Sequence, residues 1–276
     1  LPAALDVRYA LGMPELPEVE ATRQNLQRWS EGLRIKRVER VDDSLEPALD
    51  SLVGAAFGSW ERRGKALAGV TDRGVLFSHL GMTGRWVVDP EDDRRFVRLA
   101  IDLAHGRKVR RIAYLDARRL GDAKVVASVD AAFAKLGPDA WLTPLTATQL
   151  QAAMGKGDKA TLKERLLEQK RYAGLGNIAV IEACFRAKVH PRTPISAVTP
   201  AVWKRLVPAI HDHLAATLAG TVGPPEIIYV SEGGENIFAV YGRKDEPCPH
   251  CGTSIAREVF AGRPTYFCPK CQPEPL

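Results

Sequence analysis

Apolar positions follow three successive rhythms along this chain. From Leu16 to Trp29 the pattern LPEVEATRQNLQRW reads as a helix, with Pro17 in its first turn, Glu18 and Glu20 at its positive end and Gly32 closing it. From Ile35 to about Val126 the apolar runs shorten to AGV, VLFSHL, RWVV, RLAIDL and RIAYL, separated by Gly, Asp and Arg turns. Short, evenly spaced strands of this kind predict an antiparallel sandwich or barrel. The stretch LGPDAWLTPLTATQL, 136–150, carries Gly, two prolines and Thr caps and reads as a linker. Beyond it, spacings of three and four predict helices over 146–154, 160–171, 178–187 and 200–219. A β-like stretch is expected from about Ile237. No internal repeat is evident, which removes solenoids and tandem arrays.

Composition narrows the class. With 276 residues, 45% hydrophobic and 26% charged, the chain suits two modest globular domains and is neither disordered nor collagen-like. No run approaches the roughly 18 to 20 apolar residues of a membrane span. The first dozen residues lack a basic start followed by an apolar block, so a cytoplasmic protein is expected, with no membrane partner. The formal net charge of +6 is compatible with a polyanion but does not demonstrate one. Its distribution says more: residues 94–119 hold nine basic residues against two acidic ones (Asp102 and Asp116). Half of these could be a solvated outer face, whereas the Gly-bounded DARRLG could insert into a duplex.

Four of the five cysteines fall near the carboxyl end, as Cys248-x-x-Cys251, sixteen residues, then Cys268-x-x-Cys271. Two such turns offer four thiolates to one structural zinc ion. Disulfides are the alternative, and nothing indicates secretion. His250 lies inside the first turn, but the four thiolates already fill the coordination sphere. Arg257 and Arg263 lie on the hairpin between the turns and could face a phosphate backbone.

Residues 159–188 predict two helices around a tight AGLGN turn, with Asn177 as N-cap of the second. A glycine-bounded helix start also makes a phosphate seat, and Lys156, Lys159, Lys163, Lys170 and Arg171 lie upstream. An ordinary helical hairpin with a solvated basic face reads the same way.

The stretch Met13-Pro14-Glu15-Leu16-Pro17-Glu18-Val19-Glu20 resembles the formamidopyrimidine-DNA glycosylase family, which includes the endonuclease VIII-type enzymes. RRGKALAG around Lys65, SHLGMTGRW around His79 and Met82, GLGN at Asn177, VYGRK at Arg243 and the four cysteines match in the same order. The resemblance runs from Met13 to Cys271. It implies an α+β fold of two domains: an amino-terminal helix with an antiparallel β-sandwich, then a helical domain with a helix–two-turn–helix and a four-cysteine zinc finger. The implied boundaries are an extension over 1–12 absent from the mature protein, a catalytic sandwich over 13–135, the linker over 136–150, the helix–two-turn–helix domain over 151–235 and the zinc finger over 236–276.

The resemblance implies a bifunctional glycosylase and AP lyase of base-excision repair acting on oxidised purines in double-stranded DNA. It also implies a monomer in a bacterial-type, nucleoid-associated setting. Pro14 would be the nucleophile, because a terminal secondary amine can form an iminium with the sugar C1′. Glu15 would act as general acid in sugar ring opening and proton transfers. Lys65 would lie near lesion and phosphate, and His79 at a phosphate. Met82 would fill the void left by the base, and Arg118 would face the orphaned partner base. Asn177 and Arg263 would grip phosphates, and Glu182 would line the lesion pocket.

Three positions depart from the family pattern. Leu120 stands where an aromatic wedge is usual, and Ala179 where the family has Tyr in Asn-Ile-Tyr. The stretch PPEIIYVSEGGENIFAVYGR is short for the family's lesion-capping loop. These keep an endonuclease VIII-like preference for oxidised pyrimidines open. As written, Pro14 is internal, and an amide nitrogen is no nucleophile. Translation is therefore expected to begin at Met13; if Pro14 stayed blocked, the chain would be a non-catalytic damaged-DNA-binding protein.

Overall fold

The computed structural model describes residues 14–90, 94–157, 159–221 and 237–275. The expected extension over 1–12, Met13 and most of the expected capping stretch lie outside these residues. The chain divides into two compact units, the first built mainly of Glu18–Ala134 and the second of Glu15–Pro17, Lys135–Gly220 and Asn236–Leu276.

The first unit takes helix α1 (Leu16–Ser30) from Glu18 onward and is otherwise mostly strand. Eight strands follow: β1 (Arg34–Arg40), β2 (Phe57–Arg63), β3 (Ala66–Thr71), β4 (Gly74–His79), β5 (Arg85–Val88), β6 (Val97–His105), β7 (Lys108–Leu115) and β8 (Asp122–Val126). They form two four-stranded antiparallel sheets, ordered β1-β6-β7-β5 and β2-β3-β4-β8. One apolar core takes Ile35, Trp86, Ile101, Leu103 and Ile112 from the first sheet and Phe57, Trp60, Leu67 and Leu76 from the second. Val19 and Leu26 of α1 join it. The expected sandwich is therefore what forms. The indoles that fill its centre are satisfied: Trp60 Nε1 donates to Ser30 Oγ at 2.9 Å and Trp86 Nε1 to Ser78 Oγ at 3.1 Å. A short helix α2 (Val129–Phe133), capped by Ser128, ends the unit.

Two of the cations in the 94–119 run are held inside the fold. Arg111 bonds both Asp102 and Glu39, and Arg98 is buried among acceptors. Arg107 and Lys108 at the β6–β7 turn, and Arg118 and Arg119, face solvent.

In the second unit, α3 (Ala147–Met154) and α4 (Leu162–Leu167) both start in capping boxes, Thr146 with Gln149 and Thr161 with Glu164. Then come α5 (Asn177–Arg186) and α6 (Pro200–Thr221), and last a hairpin of β9 (Ala256–Phe260) and β10 (Arg263–Phe267). Two expectations change. The helix read over 160–171 is one short helix, because Glu168 turns extended and caps it. The strand expected from Ile237 does not form among the described residues, and the backbone amides at 239–241 bond to a side chain instead.

Candidate active site

In the first unit, register gathers the candidates at one end of the second sheet. Ala66 pairs with His79, and His79 with Asp122, so Lys65, the end of β4 and the start of β8 align. Met82 lies in the turn that leaves β4, while Arg118 and Leu120 lie in the loop that enters β8. Leu120 is 53% exposed, an apolar side chain held in solvent beside two exposed arginines. Burial, then the charge of Lys65, push the His79 imidazole below its usual pKa, against a weaker pull from Asp122. The shift favours the neutral form of the ring. Its Nδ1 accepts the Gly81 amide at 3.1 Å, which puts the ring proton on Nε2 and makes that nitrogen a donor.

The second unit holds Glu15 against the start of α5. Its two carboxylate oxygens accept the amides of Ile178 (2.8 Å) and Ala179 (3.1 Å). The amides read from sequence as a phosphate seat are thus taken by this carboxylate, which also meets the positive end of the helix dipole. Gly176, not Asn177, is the N-cap. A Cβ on Gly176 would sit 2.1 Å from Glu15 Cδ, so glycine is required here by close approach rather than by its φ. Gly176→Ala is expected to displace Glu15 and cost about 1–3 kcal/mol, with base excision falling more than DNA affinity. Kinetics and thermal unfolding of the variant check this.

Asn177 is the first residue of α5, buried, and its Nδ2 donates to Pro264 O at 2.9 Å. It therefore ties the helix start to the strand residue next to Arg263. Lys163, expected among the surface cations, is wholly buried and donates to Thr265 Oγ1 at 2.6 Å. Burial, then the charge of Arg263, push its amine down to about 8. Lys170 and Arg171 both pair with Glu168. Of the basic run read as a phosphate approach, these three are engaged within the protein.

Glu182 is fully buried, and its carboxylate accepts the amides of Ala239, Val240 and Tyr241, each at 2.9 Å. The carboxylate thereby pins residues 239–241 to α5. Tyr241 escaped the sequence reading, although it sits in the quoted VYGRK. Burial, then the neighbouring Glu15 charge and Tyr266, raise its phenol pKa. It packs edge-on against the Tyr266 ring at 5.1 Å.

The four cysteine sulfurs all lie within 4.8 Å of one another. Tetrahedral zinc with bonds of about 2.3 Å sets sulfurs about 3.8 Å apart, and Cys248–Cys271 and Cys251–Cys268 measure 3.9 and 3.4 Å. The His250 and Cys271 amides point at the sulfurs of Cys248 and Cys268, both at 3.4 Å, as thiolates require. The residues fit one structural zinc ion. His250 stacks on Phe185 at 5.1 Å, a packing role.

Three family models match in sequence order: the formamidopyrimidine-DNA glycosylase N-terminal domain over 13–123, the H2TH domain of the same enzymes over 136–224, and the zinc finger found in FPG and IleRS over 245–273. The chain belongs to the formamidopyrimidine-DNA glycosylase family. A member from Rhizorhabdus wittichii is 39% identical, covering 94% of this chain and all of that one. Among solved structures, Lactococcus lactis Fpg (MutM) in complex with DNA containing Fapy-dG has a TM-score of 0.82 at 28% identity, covering 94% of this chain and all of that one. The same enzyme in complex with DNA containing an oxidised pyrimidine has a TM-score of 0.83 at 28% identity, covering 95% and 100%. Among the described residues, no helix is long and apolar enough to cross a membrane.

Proposed function

We propose that this family member excises oxidised purines, formamidopyrimidine and 8-oxoguanine, from duplex DNA as a combined glycosylase and AP lyase of base-excision repair. The observation that carries the chemistry is the Glu15 carboxylate fixed by two amides of α5 directly after Pro14. A freed Pro14 nitrogen attacks C1′, and the bond from C1′ to the base breaks, the base leaving with its electron pair and collecting a proton. Opening of the sugar ring then converts the adduct to an iminium. Glu15, the nearest fixed charge in sequence, relays protons during ring opening and stabilises the cation. Loss of a C2′ proton expels the 3′ phosphate, and a second elimination expels the 5′ phosphate. The product is a gap with phosphate on both sides, and hydrolysis returns Pro14.

This route needs Pro14 to be amino-terminal, and the match of the family model from residue 13 supports a mature start after Met13. Lys65 and the His79 Nε2–H are assigned to phosphates near the lesion, and Met82, Arg118 and Leu120 to the space the base vacates. Arg263 is assigned to a flanking phosphate, with Asn177 holding its strand. Glu182, three amides deep in the protein, supports the lesion pocket by fixing residues 239–241 rather than by touching the base. The chain acts as a monomer in the bacterial cytoplasm.

Single-turnover excision of 8-oxoguanine opposite cytosine is expected to outrun that of 5-hydroxycytosine in the same duplex. A clear preference for the pyrimidine would overturn the lesion assignment in favour of an endonuclease VIII-like enzyme, a reading that Leu120 and Ala179 would then explain.

A further inference from the structure

Two turns meet at the end of the sandwich where the DNA-inserting candidates lie. Residues 80–84 carry Met82, and residues 116–121 carry Arg118 and Leu120. Their backbones touch: a Cβ on Gly81, at φ +63°, would fall 2.5 Å from the Gly121 amide nitrogen, and one on Gly121 would fall 3.0 Å from the Leu80 carbonyl carbon. Asp116, 2% exposed, sits where they join. Its Oδ1 accepts the Thr83 hydroxyl at 2.5 Å and the Arg118 amide at 3.2 Å, while its Oδ2 accepts the Gly121 amide at 2.7 Å. The Thr83 hydroxyl oxygen accepts the Arg118 amide as well, at 3.2 Å.

Behind this knot stands Arg98, whose Nη1 donates to Gly121 O at 2.9 Å and lies 3.7 Å from Asp116 Oδ2. Arg98 is itself fixed by Asp42 at 2.6 Å and by Ser44 at 3.2 Å. Arg119, in the left-handed region at φ +52°, turns its guanidinium toward Asp42 at 3.7 Å. Arg118 and Leu120 stay exposed on either side of that strained residue.

We infer that Asp116, braced by Arg98 and Thr83, is a positioning residue for lesion recognition: it locks the Met82 turn and the Arg118–Leu120 loop into one preformed unit that enters the duplex together. This rests on the glycosylase reading and adds to it, since Asp116 touches neither base nor sugar. Without the lock, the two turns would have to be ordered on DNA, and the ordering cost would fall on base extrusion. An abasic site has no base to extrude, so strand cleavage there depends far less on the unit.

The test compares two substrates. Asp116→Asn keeps the shape but sets an NH2 against the Gly121 amide or the Thr83 hydroxyl, and removes the charge facing Arg98. Excision of a paired 8-oxoguanine is expected to slow about 10- to 100-fold, with cleavage at a ready-made abasic site within about twofold. The fluorescence change of 2-aminopurine next to the lesion should slow in parallel. Thr83→Val should shift the same ratio in the same direction, and Thr83→Ser should restore it; this pair decides the matter if Asp116→Asn fails to fold. Equal loss on both substrates, or unchanged lesion excision, would overturn the inference. A wild-type chain inactive on both substrates would instead overturn the glycosylase reading, and it shows before any variant is compared.

Discussion

Replacing Glu15 with glutamine is expected to slow base excision by about 10²- to 10⁴-fold while cleavage at ready-made abasic sites falls far less. The carboxylate bonds two amides at the start of α5 through both oxygens. A glutamine keeps one acceptor but sets its NH2 against the second amide, and it can neither relay a proton nor carry charge. Loss of a charge at a helix start costs only about 0.3–1 kcal/mol, up to about 2 when partly buried, so the fold should survive. The split between substrates follows from the chemistry. An intact nucleoside needs help with ring opening and with base departure, whereas an abasic site already equilibrates with its open aldehyde. Single-turnover rates on both substrates, beside a thermal melt, measure this; parallel losses, or none, would remove Glu15 from proton transfer.

The second large effect is expected at the zinc site. The apolar core around it is small, with Ile181, Phe185, Val240 and Ile255 packed against Cys248 and Cys268. Structural zinc contributes on the order of 10–16 kcal/mol of apparent binding free energy in isolated finger peptides, so metal removal should unfold the β9–β10 hairpin. Arg263 and the partners of Asn177 and Lys163, namely Pro264 O and Thr265 Oγ1, lie on that hairpin. Chelation, or Cys268→Ser, should therefore abolish tight DNA binding while the sandwich keeps its tryptophan near-UV signal. Native mass spectrometry should find one zinc per chain. A metal-free chain that still binds damaged duplex tightly would contradict this account.

Strands with continuous apolar runs were legible in the sequence: VLFSHL and RWVV become β4 and β5, and RLAIDL and RIAYL lie inside β6 and β7. β1 and β2 gave less signal because polar groups replace apolar ones in them. β1 reads RIKRVER and fully buries only Ile35. In β2, Arg62 is buried and satisfied by Glu20 at 2.9 Å and by Gly64 O, an ion pair doing the work of a hydrophobe. The cysteine spacing foretold its site because metal ligation is local in sequence. The place of Glu15 was not legible, since its partners lie more than 160 residues away and are backbone amides. Lys163 misled for a related reason: a lysine on a short helix looks solvated until Thr265, 102 residues on, closes over it.

The proposed lyase chemistry requires Pro14 to be a free amine that bonds covalently to the sugar. Borohydride reduction of the chain mixed with abasic-site duplex, with the adducted peptide and mature amino terminus read by mass spectrometry, tests this directly. The expected result is a stable cross-link on a chain whose first residue is Pro14. A chain still carrying the residues before Pro14, with no trapped DNA, would contradict it.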